Sequence, residues 1–160
     1  MVPSAHPQAP PFPLGPVAKL RLLWTVWATA VAVALGLRRE RLPALITRLG
    51  APASSVADAR SAEANPPLPP ALLSRAVSRG LRLGPWQPRC LIRALVLYRL
   101  LRVQGHEPVL VIGLDSVRPT TEAHAWVELD GRDIGPAPGA FGHRALVRYP
   151  IDQVEDERDA

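Results

Sequence analysis

The only cysteine in the chain, Cys90, opens an apolar run that begins just after Pro85 and Pro88. Leu91, Ala94, Leu95, Tyr98 and Leu101 recur at helical spacing, while Arg93, Arg99 and Arg102 fall off that stripe. Proline is tolerated only outside a helix or in its first turn, and Gly105 is a natural stop at the far end. The spacing therefore predicts a helix of about four turns with Cys90 in its first turn. The free N–H groups and positive dipole end at that position favour a negatively charged sulfur, and Arg89 and Arg93 add positive charge. A lone cysteine is also a common packing residue, so Cys90 alone leaves a structural role open.

Downstream, Pro108 to Gly113 is a short β-branched run bounded by Pro and Gly and reads as a buried strand. Ala123 to Leu129 alternates: His124, Trp126 and Glu128 share one face, and Ala123, Ala125, Val127 and Leu129 share the other. Asp130-Gly131 then signals a hairpin that returns through Arg132, Asp133 and Ile134. A thiol at a helix start and a histidine on a strand flanked by small residues are the parts of a nucleophile and general-base pair.

The three blocks Cys-Leu-Ile-Arg-Ala-Leu (90–95), Gly-His-Glu-Pro-Val-Leu-Val-Ile-Gly (105–113) and Ala-His-Ala-Trp-Val-Glu (123–128) resemble the B2 proteins of lasso-peptide biosynthesis. Those are leader peptidases with a transglutaminase-like, papain-related cysteine-protease core. The resemblance covers residues 70–150 and is looser over 16–50. It implies that Cys90 is the nucleophile, that His124 is the base, and that the substrate is a ribosomally made precursor peptide cut at its leader–core junction. It also implies two partners, a separate leader-binding protein and an asparagine-synthetase-like cyclase.

The resemblance departs at the third member of the site. The family's aspartate falls twelve residues past the histidine, where this chain has Pro136, preceded by Gly135. With a two-residue turn at 130–131, Asp133 pairs opposite Glu128, four residues from His124. That is about 13 Å along a straight strand, too far for a hydrogen bond to the imidazole. Asp133 is thus a poorly placed candidate, and Asp130, in the turn, is no better. Losing an orienting acid costs a triad several powers of ten in rate, although a cysteine depends on it less than a serine does. Gln87, three residues before Cys90, is a weak candidate for the oxyanion or substrate. Trp86 is expected in the core, His106 and His143 at the surface, and Glu128 in a surface pair with Arg132.

The remainder is organised in segments. Residues 1–16 form a Pro-rich tail without the charged start of a secretion signal. Residues 17–50 are a helical segment in which Leu22 to Leu37 carries no charge, with Lys19 and Arg21 before it and Arg38 and Arg39 after it. Its length falls between a core helix and a membrane span, so packing on the protease core or a partner is expected, with membrane association through 20–39 the alternative. Residues 51–69 read as a linker, Pro70 to Arg82 as an amphipathic helix, Ala145 to Pro150 as a last strand, and 151–160 as an acidic tail. A single cysteine excludes an internal disulfide and fits a reducing, cytoplasmic compartment. No metal-ligand spacing, phosphate loop or aromatic–basic platform occurs, so no cofactor and no nucleic acid are expected.

The expectation is an α+β, transglutaminase-like (papain-like) core over 70–150 with an N-terminal helical extension, acting as a cysteine peptidase through Cys90 and His124. A weak or inactive scaffold that binds a peptide or partner enzyme, and an acyl transferase using an amine acceptor, remain open at this stage.

Overall fold

The computed structural model describes residues 15–51, 68–82, 89–115, 123–135 and 142–150. Four helices come first: α1 (Pro16–Arg39), α2 (Leu42–Gly50), α3 (Pro70–Gly80) and α4 (Cys90–Val103). Four strands follow, β1 (Val109–Asp115), β2 (Ala123–Leu129), β3 (Arg132–Asp133) and β4 (His143–Tyr149). They make one antiparallel sheet in the order β3-β2-β1-β4. The tail at 1–14, most of the 51–69 linker, Trp86, Gln87, Pro136 and the acidic tail lie outside the described residues.

The helix opened by Cys90 is the hub. It was expected to bury one stripe, yet Val96, Leu97 and Leu100 are buried as well as Ala94, Leu95, Tyr98 and Leu101. An α-helix that is apolar around its circumference has to be covered on all sides, and α1, α2, α3, β1 and β2 all pack on it. It ends as its glycine demands: Gly105 has φ +82°, its N–H bonds to the Arg102 carbonyl, and the His106 N–H reaches back to Leu101. That pairing is the Schellman stop.

Segment 17–50 is not an appendage. Val26, Ala30 and Val33 of α1 and Leu45, Ile46 and Leu49 of α2 join Leu95 of α4 and Val127 of β2 in one core cluster. Two of the arginines that fall off the predicted stripe of α4, Arg99 and Arg102, explain how α2 is held. Arg99 Nη1 donates to the carbonyl oxygens of Leu49 at 2.9 Å and Ala51 at 2.8 Å, and Arg102 Nε donates to Gly50 at 2.9 Å. These carbonyls lie at the C-terminal end of α2, where partners inside the helix run out and a cation is favoured. Arg99→Ala should therefore lower unfolding free energy by about 1–3 kcal/mol, the range for hydrogen bonds to a charged group, with Arg99→Lys recovering only part. Urea titration checks this, and an unchanged midpoint would mean that water serves the α2 carbonyls equally well.

Candidate active site

Asp130 and Gly131 both adopt positive φ, 52° and 70°, as a tight two-residue hairpin turn requires. The resulting register pairs Glu128 with Asp133 and Leu129 with Arg132, as the sequence implies. Ala125 and Val127 turn toward the helices and enter the core cluster. His124, Trp126 and Glu128 take the other face. Glu128 is not in a surface pair with Arg132. Its Oε1 accepts the indole N–H of the buried Trp126 at 2.9 Å, and its Oε2 accepts Arg148 of β4 at 2.6 Å. Trp126 thus spans the sheet under a carboxylate that is itself tied to the far strand.

Cys90 is the first residue of α4 and is partly exposed. Its Sγ donates to the carbonyl oxygen of Ala123 at 3.8 Å, which brings the thiol to the end of β2 that carries His124. Among the described residues, Nε2 of His124 is buried and has no hydrogen-bond partner. The only thiol of the chain thus touches the backbone of Ala123, the residue next to His124 on β2. The Nε of Arg93, one turn along α4, is likewise buried without a partner there.

The residue missed by sequence reasoning is His143. Expected at the surface, it begins β4 and stacks on His124 with ring centroids 4.6 Å apart and planes inclined by 30°. Trp126 lies beside both rings, 6.3 Å from His124 and 6.1 Å from His143. A bulge puts His143 there. β4 pairs Val111 with Arg148 and Ile112 with Val147, but Gly113 with Ala145, leaving Leu146 as the extra residue. Strict alternation counted back from Arg148 would send His143 to the opposite face, and one inserted residue reverses it. Gly113 permits the approach. A β-carbon there would run into the Arg144 carbonyl and stand 2.8 Å from Trp126 Cη2. The only advance signal was the alternation of Ala145 to Tyr149, which the inserted residue inverts.

Asp133 pairs where expected, yet the straight-strand distance understates its influence. Its Oδ1 accepts the N–H of Gly135 at 2.8 Å, and Gly135 lies against Trp126. The carboxylate is therefore folded back along β2 toward His124, and its field raises the proton affinity of the imidazole. Two stronger effects oppose it. Burial, first, and the neighbouring His143, second, together hold the His124 pKa below the ordinary histidine value. His124 is thus biased to the neutral form that a base needs. His106 also differs from expectation: its Nε2 is buried, without a partner among the described residues.

This depression has a consequence for stability. A histidine that resists protonation when folded contributes nothing at high pH, where both states are neutral. As pH falls through about 6.5, the unfolded chain takes up a proton that the native site refuses, and stability drops. Tm should decline on acidification through that range, and the decline should be shallower in His124→Gln. Equal slopes in the two proteins, read by thermal melts across a buffer series, would count against the burial of His124.

A family model described as the transglutaminase-like superfamily matches residues 27–142, which include Cys90, His124 and most of the helical segment and stop one residue short of His143. No curated protein and no solved structure gives a significant match. The match extends over well over half of the chain, and the mixed helical and antiparallel architecture agrees with it. The chain belongs to the transglutaminase-like superfamily.

Proposed function

We propose that this protein is a cysteine peptidase that frees a lasso-type precursor peptide from its leader. The observation that supports the reading is the contact of Cys90 with the carbonyl of Ala123, the neighbour on β2 of His124, whose buried Nε2 has no partner among the described residues. In the reaction, the thiol leaves the Ala123 carbonyl and gives its proton to His124. The sulfur attacks the scissile carbonyl, and backbone N–H groups at the start of α4 face the developing oxyanion. His124 returns the proton to the departing amine. Water, deprotonated by the same imidazole, then hydrolyses the thioester and restores the thiol. Gln87 is a further candidate for the oxyanion. Asp133 favours the imidazolium through its field, and His143 stacks on the ring, in place of the aspartate that Pro136 replaces. The reaction needs no cofactor. A separate leader-binding protein delivers the precursor, and an asparagine-synthetase-like cyclase uses the amine that is released.

The Pro136 departure and the engagement of the thiol by Ala123 favour one rival, an inactive scaffold that holds a peptide or a partner enzyme. Incubation with a lasso-type precursor and its leader-binding protein, followed by mass spectrometry, separates them. Peptidase activity gives one cut at the leader–core junction that is lost in Cys90→Ala. Precursor bound but intact, equally in wild type and Cys90→Ala, would establish the scaffold instead. Adding hydroxylamine distinguishes acyl transfer, which would yield a hydroxamate at the new carboxyl end, from hydrolysis.

A further inference from the structure

α1 is apolar on two opposite faces, and among the described residues only one of them is packed against the fold. Val26, Ala30, Val33 and Gly36 are buried against the remainder of the protein. On the other side Val17, Leu20, Trp24, Val31 and Leu35 form a second stripe, with exposures of 69%, 69%, 75%, 49% and 42%. Their spacing of three, four, seven and four keeps them on one side of the helix. A shallow hollow runs along this side between Leu20, Trp24 and Val31. An exposed apolar surface of this length, on a helix of about 36 Å, marks an interaction site.

The charges around the stripe identify its occupant. No acidic residue occurs between Pro16 and Arg39. Exposed cations stand at both ends, Lys19 and Arg21 at one and Arg38, Arg39 and Arg41 at the other. At 100° per residue, Arg38 and Arg39 fall on the two borders of the stripe. A second copy of the chain is a poor fit, because parallel and antiparallel pairing alike would set cations against cations. A membrane-spanning placement is also a poor fit. The helix is long and apolar enough by length and composition, but Val26, Ala30 and Val33 would have to leave the core. An anionic lipid surface fits the stripe together with Arg21, Arg38 and Arg39, which border it, whereas Lys19 lies on the other side of the helix. Val17, Leu20, Trp24, Val31 and Leu35 enter the boundary between headgroups and acyl chains, the tryptophan sits at headgroup depth, and Arg21, Arg38 and Arg39 meet lipid phosphates.

We propose that the outer face of α1 lies flat on anionic membrane surfaces and holds the folded protein there as a peripheral protein. The inference is independent of the peptidase reading, since no residue of the Cys90–His124 site takes part.

Vesicle flotation of the full chain tests it, using phosphatidylcholine alone and phosphatidylcholine mixed with phosphatidylglycerol. Binding should be at least ~10-fold tighter to the anionic vesicles and should weaken as salt is raised. Trp24→Ser should reduce binding by ~10-fold or more with the circular dichroism spectrum and Tm unchanged, because the side chain is exposed in the fold. Arg38→Glu with Arg39→Glu should abolish the preference for anionic lipid. Absence of binding to either vesicle overturns the proposal. So does a concentration-dependent dimer, seen by analytical ultracentrifugation without lipid and lost in Trp24→Ser, which would assign the stripe to a second copy. Resistance to alkaline carbonate extraction would also overturn it, in favour of a spanning helix.

Discussion

Gly113→Ala is expected to destabilise the fold by on the order of 3 kcal/mol or more, the upper part of the range for forcing atoms into a filled site. The added methyl meets a backbone carbonyl, that of Arg144, and the indole of Trp126. Neither can step aside cheaply. The carbonyl belongs to the strand that carries the bulge, and Trp126 is buried and bonded to Glu128. Relief therefore means parting β4 from β1, which also separates His143 from His124. Urea unfolding should show a lower midpoint, and whatever variant protein remains folded should lose the close stack of the two imidazoles, read from their NMR shifts. A variant with wild-type stability and wild-type imidazole shifts would show that the bulge opens freely and that the stack is incidental.

Replacing His124 with phenylalanine should have an opposite signature. On the proposed peptidase reading His124 is the general base, whose removal costs typically 10²–10⁴ in rate, so precursor cleavage should fall by about that factor. Stability should hold or rise. A buried polar atom without a partner costs about 1–3 kcal/mol, and phenylalanine removes that atom while keeping a ring to stack on His143. A residue whose loss improves stability while removing activity is one retained for function. Turnover and unfolding measured on the same preparation decide the matter. Cleavage that survives in His124→Phe would take the base elsewhere, and a stability loss beyond about 2 kcal/mol would mean that Nε2 is well satisfied in solution.

Much of the fold follows from rules that act over a few residues, and those were legible in advance. The prolines before Cys90 and Gly105 after Val103 bound the central helix, because proline cannot continue a helix inward and glycine alone enters the left-handed region without strain. Asp130-Gly131 set the hairpin, and the hairpin set the pairing of Glu128 with Asp133. The order of a thiol at a helix start and a histidine on a strand was likewise visible as a pattern, as was the departure at Pro136. The limits of α2, α3 and β1 also fell within a few residues of their periodicity, since amphipathic spacing and turn residues are both local signals.

What the tertiary structure decided depends on contacts between residues far apart in the chain. Leu146 is locally an ordinary strand residue. Only the pairing of its neighbours Ala145 and Val147 against β1 leaves it as the extra residue that turns His143 onto the face of His124. Arg99 and Arg102 read as solvated until α2 folds back and offers them its terminal carbonyls. Glu128 reads as a hairpin surface charge until Trp126 and Arg148 close around it. Asp133 reads as remote because a residue count assumes a straight strand, whereas the carboxylate turns back along it toward Gly135. Sequence by itself determined where the helices and turns begin and end, because backbone sterics and hydrogen bonding act between neighbours. The company kept by each charged side chain was decided only by packing, because a buried charge takes whichever partner the fold brings within reach.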